Sequence, residues 1–314
     1  MVNLSKELEN AKTIGISGHI RPDGDCIGSV MGLFLYIKKT KPDASVHVFL
    51  EEPADIFSCI KDIDEIEDAR DCHEDFDIFF CLDCDKTRLG EAERLFDSAR
   101  TTINIDHHVS NPGCGDYNYI VPKASSASEL VYDLLDKEYV DRDIAMALYI
   151  GIIHDTGVMQ YSNTSPKTVR IVADLLEFGF DFPRLIDETF YEKTYMQTQI
   201  AAKVMSECKL FCDGRVAFGN VSKETMEAFG AKSHDLDGIV NQLRLIKGVE
   251  VGLFMYELPT GEQKVSLRSR SYVNVAKVCE TFKGGGHVRA AGCTVAMDVD
   301  TALNSILKCI EEQI

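Results

Sequence analysis

The segment Asn104-Ile105-Asp106-His107-His108 ends in a carboxylate and two imidazoles. Residues of the same kind recur at His19, Asp23 and Asp25, at Asp83, and at His154-Asp155. Mixed carboxylate and imidazole ligands without a committed thiolate suit Mn²⁺ or a similar borderline-hard ion better than a structural zinc. Two such ions about 3.5–4 Å apart, bridged by a carboxylate, can activate water for in-line attack on phosphorus. Asp23, Asp25, Asp83 and Asp155 would roughly balance two dications and leave room for an anionic substrate. A second stretch, Lys283 to Gly292, carries Gly284-Gly285-Gly286-His287. Consecutive backbone N–H groups of a glycine turn form a nest for an anion, to which His287, Arg289 and Arg268 can add charge-assisted bonds. No Lys-Ser/Thr follows the glycines, so this is not a triphosphate-binding P-loop.

These residues lie at the ends of elements that the apolar pattern marks out. Thr13 to Ser17 reads as a strand, followed by the His19 to Asp25 loop and a helix with Val30, Leu33, Phe34 and Ile37 on one face. Ser45 to Leu50 is a second strand, Asp77 to Leu82 a third ending at Asp83, and Thr102 to Ile105 a fourth ending at the Asp-His-His triplet. Residues 4 to 11 and Leu89 to Ala99 are expected as helices, and Glu51 to Glu74 as short helices and loops. Ser126-Ala127-Ser128-Glu129 fits a capping box that opens another helix. Further helices are expected over Asp141 to Ile153, Pro166 to Phe178 and Phe182 to Tyr191. Strands alternating with helices predict a doubly wound, mainly parallel sheet with its ligands beyond the strand carboxyl ends.

After the polar segment Glu192 to Gln199 the texture changes. A hairpin around Asp213-Gly214, helices near Lys223 to Phe229 and Leu236 to Ile246, and strands Val249 to Leu258 and Gln263 to Arg268 predict a smaller mixed α/β domain. The division expected is a catalytic domain over 1–191, a connector over 192–200 and a substrate-binding domain over 201–314, with the active site in the cleft between the domains.

Composition narrows the function. The chain of 314 residues carries a net charge of -18. Proteins that track long nucleic acid need a broad basic surface, so any nucleotide bound here should be small. The local exception is Lys264 to Gly292, with six Lys or Arg against one acid. No apolar run approaches the ~18 residues of a membrane span, and the N-terminal segment lacks the pattern of an export signal. Eleven cysteines scattered through apolar runs fit reduced thiols in a cytoplasm. The sequons at Asn163 and Asn220 carry no meaning in that setting.

Taken together, His19-x-x-x-Asp23-Gly-Asp25, Asp83 with Arg88-Leu89-Gly90, Asp106-His107-His108, His154-Asp155-Thr156-Gly157 and the distal Gly-Gly-Gly-His with Arg-Ala-Ala-Gly resemble the DHH phosphoesterase family with its DHH-associated C-terminal domain. The motifs run from residue 19 to 292, and the chain is most similar to the oligoribonuclease and adenosine 3′,5′-bisphosphate (pAp) phosphatase branch. The resemblance implies one Mn²⁺ on His19, Asp23 and Asp83, and another on Asp25, Asp83, His107 and Asp155. It implies that His108 faces the scissile phosphate, with Asp106 and His154 orienting ligands or substrate. Gly18 precedes His19 where many relatives have Asp or Ser, with little consequence expected because the histidine is the ligand. The expected activity is release of nucleoside 5′-monophosphates from dinucleotides to about five-mers. The alternatives are a pAp 3′-phosphatase or a hydrolase of linear dinucleotides derived from cyclic ones. A family II pyrophosphatase would lack the Gly-Gly-Gly-His element, and a non-catalytic sensor would have eroded ligands. No long nucleic acid or membrane is expected as a partner, and a homodimer is left open.

Overall fold

The computed structural model describes residues 4–314; Met1 to Asn3, where the segment read for an export signal begins, lie outside the described residues. The chain forms two compact units, the first ending at Glu192 and the second covering Lys193–Ile314.

In the first unit α1 (Leu4–Glu7) is a single turn, shorter than the helix expected over 4 to 11. β1 (Thr13–Ser17), β2 (Ser45–Phe49), β3 (Ile66–Glu67), β4 (Ile78–Leu82), β5 (Thr102–Asp106) and β6 (Tyr117–Ile120) make one sheet, in the order β3-β2-β1-β4-β5-β6. Every pair is parallel. The order reverses between β1 and β4, and a doubly wound sheet opens its ligand crevice at that point. β4 is buried throughout, as its unbroken apolar run requires. Its Ile78, Phe80 and Leu82 join the main core with Ile14, Phe34 and Ile152, while Phe79 and Cys81 join Phe49, Phe76 and Phe96 on the other face.

The helices are α2 (Gly24–Thr40), α3 (Glu93–Ser98), α4 (Ala127–Leu134), α5 (Arg142–Asp155), α6 (Pro166–Leu176) and α7 (Phe182–Ile186). The segment 89–99, expected as one helix, divides into a 3-10 turn at Gly90–Ala92 and α3, because Gly90 takes a positive φ of 58°. α2 and α5 cross closely at Gly28, where a Cβ would lie 2.6 Å from the Ala147 carbonyl oxygen. That crossing brings the start of α2 beside the end of α5. At α4 only half of the expected capping box forms. Ser126 accepts from the Glu129 N–H at 3.0 Å, but the Glu129 carboxylate takes the hydroxyls of Ser125 and Thr168, each at 2.7 Å.

The second unit opens with α8 (Tyr195–Glu207), so the polar segment from residue 195 onward is helical and carries a Thr194/Gln197 capping box. β7 (Lys209–Phe211), β8 (Val216–Val221), β9 (Val251–Glu257), β10 (Gln263–Ser269), β11 (Gly285–His287) and β12 (Ala290–Val295) form a mixed sheet in the order β11-β12-β10-β9-β8-β7. Only β8 and β9 run parallel among these pairs. α9 (Lys223–Phe229), α10 (Ile239–Leu245), α11 (Val275–Thr281) and α12 (Val299–Glu311) complete the unit. One core joins Val265, Leu267, Val278 and Ile306, and the other joins Ile200, Leu243 and Phe254.

Candidate metal centre

The site is built on Asp83. It follows β4 in the left-handed region, at φ 58°, a conformation that aspartate tolerates better than most side chains. A residue held there points to a functional constraint. Its two oxygens face two different clusters. Oδ2 lies 3.5 Å from His19 Nε2, and Oδ1 lies 3.4 Å from His107 Nε2. Asp83 is 2% exposed, and Oδ1 is buried without a hydrogen-bond partner. A buried carboxylate oxygen left in that state is costly unless a cation meets it.

On the Oδ2 side, His19 leaves β1 buried and turns its ring by a 2.9 Å bond from Nδ1 to the Ile20 carbonyl. The carbonyl accepts only, so Nδ1 carries the proton and Nε2 is directed at Asp83 and at Asp23 Oδ2, 3.8 Å away. Asp23 caps α2 through Oδ1, which accepts from the Asp25 and Cys26 N–H groups, so the other oxygen turns toward His19. The Cys26 thiol belongs to the same cluster. Burial, with Asp83 and Asp23 nearby, pushes its pKa far up, so it stays a protonated filler beside the ligands.

On the Oδ1 side, His107 Nε2 also lies 3.8 Å from Asp25 Oδ2 and 3.5 Å from Asp155 Oδ2. Asp25 is buried, and the N-terminus of α4 holds it: Ala127 N–H donates to Oδ2 at 2.6 Å and Ser128 N–H to Oδ1 at 2.9 Å. Asp155 ends α5, with Asn163 donating to its carbonyl at 3.0 Å and to its Oδ2 at 3.4 Å.

The charges of this cluster are out of balance as it stands. Burial pushes the His19 ring down, but Asp23 and Asp83 outweigh it and raise the pKa to about 10. His107 is likewise lowered by burial and raised to about 10 by Asp83, Asp25 and Asp155. Burial lifts Asp155 to about 6, against His107 and with Asp83, and lifts Asp25 upward too, with Asp83 and Asp155 adding to it. Asp23 is raised by burial but brought to about 2 by His19. The raised imidazoles and carboxyls mark a buried site crowded with negative charge, and the donor set of His19, Asp23, Asp25, Asp83, His107 and Asp155 fits divalent metal.

Asp106 and His108 form the rim. Asp106 is fully buried; Oδ1 accepts from His108 Nδ1 at 2.7 Å and from the His107 and His108 N–H groups, and Asn111 donates to Oδ2 at 2.5 Å. Asn111 also donates to Asn104 Oδ1, and Asn104 donates to the Cys81 and Cys84 carbonyls on either side of Asp83. His108 Nδ1 reaches Asp83 Oδ1 at 3.6 Å. His154, next to the last residue of α5, lies against the start of α2. Its Nε2 meets Thr189 Oγ1 at 3.2 Å, its ring packs on Phe57 and Phe190, and Gly24 leaves room for it. A cavity of about 850 Å³ borders His19, but Glu51, Glu52, Asp64, Glu67 and Asp68 on its walls repel phosphate.

In the second unit the glycine stretch runs as the edge strand β11, not as a turn. Its register with β12 sets Gly286 against Ala291, so close that a Cβ on Gly286 would lie 2.5 Å from the Ala290 carbonyl oxygen. Arg268 and His287 both pair with Ala290, which places their side chains in one row on one face of the sheet. Arg289 is bound otherwise: Nη1 donates to the Val273 carbonyl at 2.8 Å and reaches Ser269 Oγ at 3.4 Å.

The sequence assigned no site role to Asn104, Asn111, Asn163 or Thr189; Asn163 figured there only as a sequon, and Asn104 as an amide inside an apolar strand.

The model of the DHH family, N-terminal domain, matches residues 13–152, and that of the DHHA1 domain matches residues 216–314. A Thermus thermophilus protein named bifunctional oligoribonuclease and PAP phosphatase NrnA is 28% identical, over 96% of this chain and 90% of its own. A Streptococcus mutans protein named "Probable bifunctional oligoribonuclease and PAP phosphatase NrnA" is 30% identical, over 89% and 88%. The crystal structure of an exopolyphosphatase-related protein from Bacteroides fragilis superposes with a TM-score of 0.90 at 25% identity, covering 98% of this chain and 94% of that one. The chain belongs to the DHH family and carries the family's N-terminal domain together with a DHHA1 domain.

Proposed function

We propose that this protein is a Mn²⁺-dependent phosphodiesterase that degrades dinucleotides to about five-mers into nucleoside 5′-monophosphates, in the cytoplasm. The observation that carries the reading is the division of Asp83, whose buried, unpaired Oδ1 faces His107, Asp25 and Asp155 while Oδ2 faces His19. His19, Asp23 and Asp83 would hold one ion, and Asp25, Asp83, His107 and Asp155 the other. Such ions supply Lewis-acid polarisation of a phosphoryl oxygen and a water acidic enough to attack at neutral pH.

The protein's own groups do the rest. Asp106 holds His108 by Nδ1, which turns the Nε2 edge to the scissile phosphate and lets it steady developing charge. Burial pushes the Asp106 carboxyl up, but the His108 ring, Asn111 and the His108 backbone N–H outweigh it and hold the pKa below the usual carboxylate range. His154 orients the start of α2 through its packing on Gly24. In the second unit, Arg268, His287 and the glycine strand Gly284 to Gly286 grip a substrate phosphate, and Arg289 shapes the hairpin that presents them. The names of the relatives support a second activity on pAp, whose 3′-phosphate would sit where the internal phosphate of a dinucleotide does.

The test is a parallel assay in Mn²⁺ with 5′-phosphorylated dinucleotides, five-mers, long single strands, pAp and pyrophosphate. Mononucleotide release should be fastest from the shortest oligonucleotides, with slower conversion of pAp and little of pyrophosphate or long strands. No mononucleotide from any oligonucleotide would refute the reading.

A further inference from the structure

The loop that joins β10 to α11 is held at every backbone donor yet presents an aromatic ring to solvent. Arg270 N–H donates to the Glu250 carbonyl at 2.8 Å. The Ser271, Tyr272 and Val273 N–H groups all donate to Glu250 Oε1, at 2.9, 2.8 and 3.1 Å, and Ser271 Oγ donates to Oε2 at 2.7 Å. Asn274 N–H then donates to Gln313 Oε1 at 2.9 Å, and Val275 N–H to the Val288 carbonyl at 3.0 Å. Glu250 is itself 4% exposed. A buried carboxylate committed to four donors of one short loop fixes that loop's shape. Arg289, from the hairpin that follows His287, closes it from the other side through the Val273 carbonyl. At the apex Tyr272 is 53% exposed, and Val288, at the tip of the Gly-Gly-Gly-His hairpin, is 48% exposed.

An exposed tyrosine alone is an ordinary surface residue. A tyrosine on a loop with no unbonded amide, tied to the hairpin of the phosphate-gripping strand, is a preorganised contact surface. Such a ring offers wide flat area with little rotamer freedom to lose. We propose that Tyr272 is the stacking ring for the nucleobase of the nucleotide held by the second unit, and that Glu250 is the residue that positions it. This rests on the reading of the substrate as a nucleotide. It adds that the base, and not only the phosphate, is bound, through its π-face and so without strong base preference.

Binding, not turnover, tests it. Adenosine 5′-monophosphate and ribose 5-phosphate, which share the phosphate and sugar, are titrated into the metal-free full chain by calorimetry. The wild type should bind the nucleotide about 5- to 150-fold more tightly, the range that base–aromatic stacking commands. Tyr272→Ala should erase that difference while leaving the ribose 5-phosphate affinity within about twofold, and Tyr272→Phe should keep it. No difference in the wild type, or a difference that survives Tyr272→Ala, overturns the assignment. Equal weakening of both ligands in Tyr272→Ala overturns it as well. Glu250→Gln should speed amide exchange at Ser271, Tyr272 and Val273 and reduce the nucleotide preference. Faster exchange with an unchanged preference removes Glu250 from the proposal. Absence of dinucleotide cleavage would refute the catalytic reading and leave this binding result standing.

Discussion

The Asp106 carboxylate serves the two histidines that follow it. It accepts three bonds from His107 and His108 on one oxygen and one from Asn111 on the other. Asp106→Asn would put an amide group where only acceptors fit, freeing the His108 ring to rotate. It should lower kcat by about 10- to 100-fold, the usual cost of losing a group that orients a ligand, with KM changed far less. Steady-state kinetics on a dinucleotide checks this, and a fall in KM-based affinity without a fall in kcat would argue against it. The residues proposed as ligands were legible in the sequence because they follow the ends of apolar runs. Asn111 and Asn163 were not, because their partners Asp106 and Asp155 are five and eight residues away through loops whose path no periodicity encodes. Arg289 shows the converse: its charge was plain, but it stands in the turn between β11 and β12, where its guanidinium ties down the loop at Val273.

Among the elements, α4 matters beyond its length. Its first amides hold Asp25, and Glu129 anchors it to α6 through Thr168 and Lys167. Burial raises the Glu129 carboxyl, but Ser125, Thr168 and Lys167 outweigh it and hold the pKa below the ordinary value. A group whose folded pKa is depressed stabilises above its unfolded pKa and loses that contribution as pH falls through the folded value. Glu129→Gln should therefore cost about 1–3 kcal/mol at pH 7, and the gap to wild type should close below about pH 4. Thermal melts of both proteins across that range measure it; a gap independent of pH would contradict the charged role. The strands of the parallel sheet centre were readable from their apolar runs, but the two edges were not. β3 has only two residues and β6 is half exposed, so neither carries the signal of a buried strand. The glycine strand β11 was read as a turn because three glycines give no side-chain pattern; only its pairing with β12 makes it extended.

For the whole molecule, the acidic charge of -18 and the few cations near the glycine hairpin set the scale of what can be bound. With about two substrate phosphates engaged, raising salt from about 50 to 200 mM should lower kcat/KM for a dinucleotide by less than about tenfold, whereas a protein tracking many phosphates would lose about 10³ or more. A steep salt dependence would mean a longer nucleic acid footprint than this surface provides. The composition thus bounded the substrate before any element was assigned. What it could not give was Asp83 as the point where both clusters meet, since that depends on a left-handed backbone position after β4. The central claim is that Asp83 joins two ions, and the most direct measurement is the number of Mn²⁺ ions bound per chain at equilibrium, in the wild type and in Asp83→Asn. The wild type should bind about two, and the variant should lose at least one together with nearly all mononucleotide release. An Asp83→Asn variant that binds Mn²⁺ with wild-type stoichiometry and affinity would contradict the account.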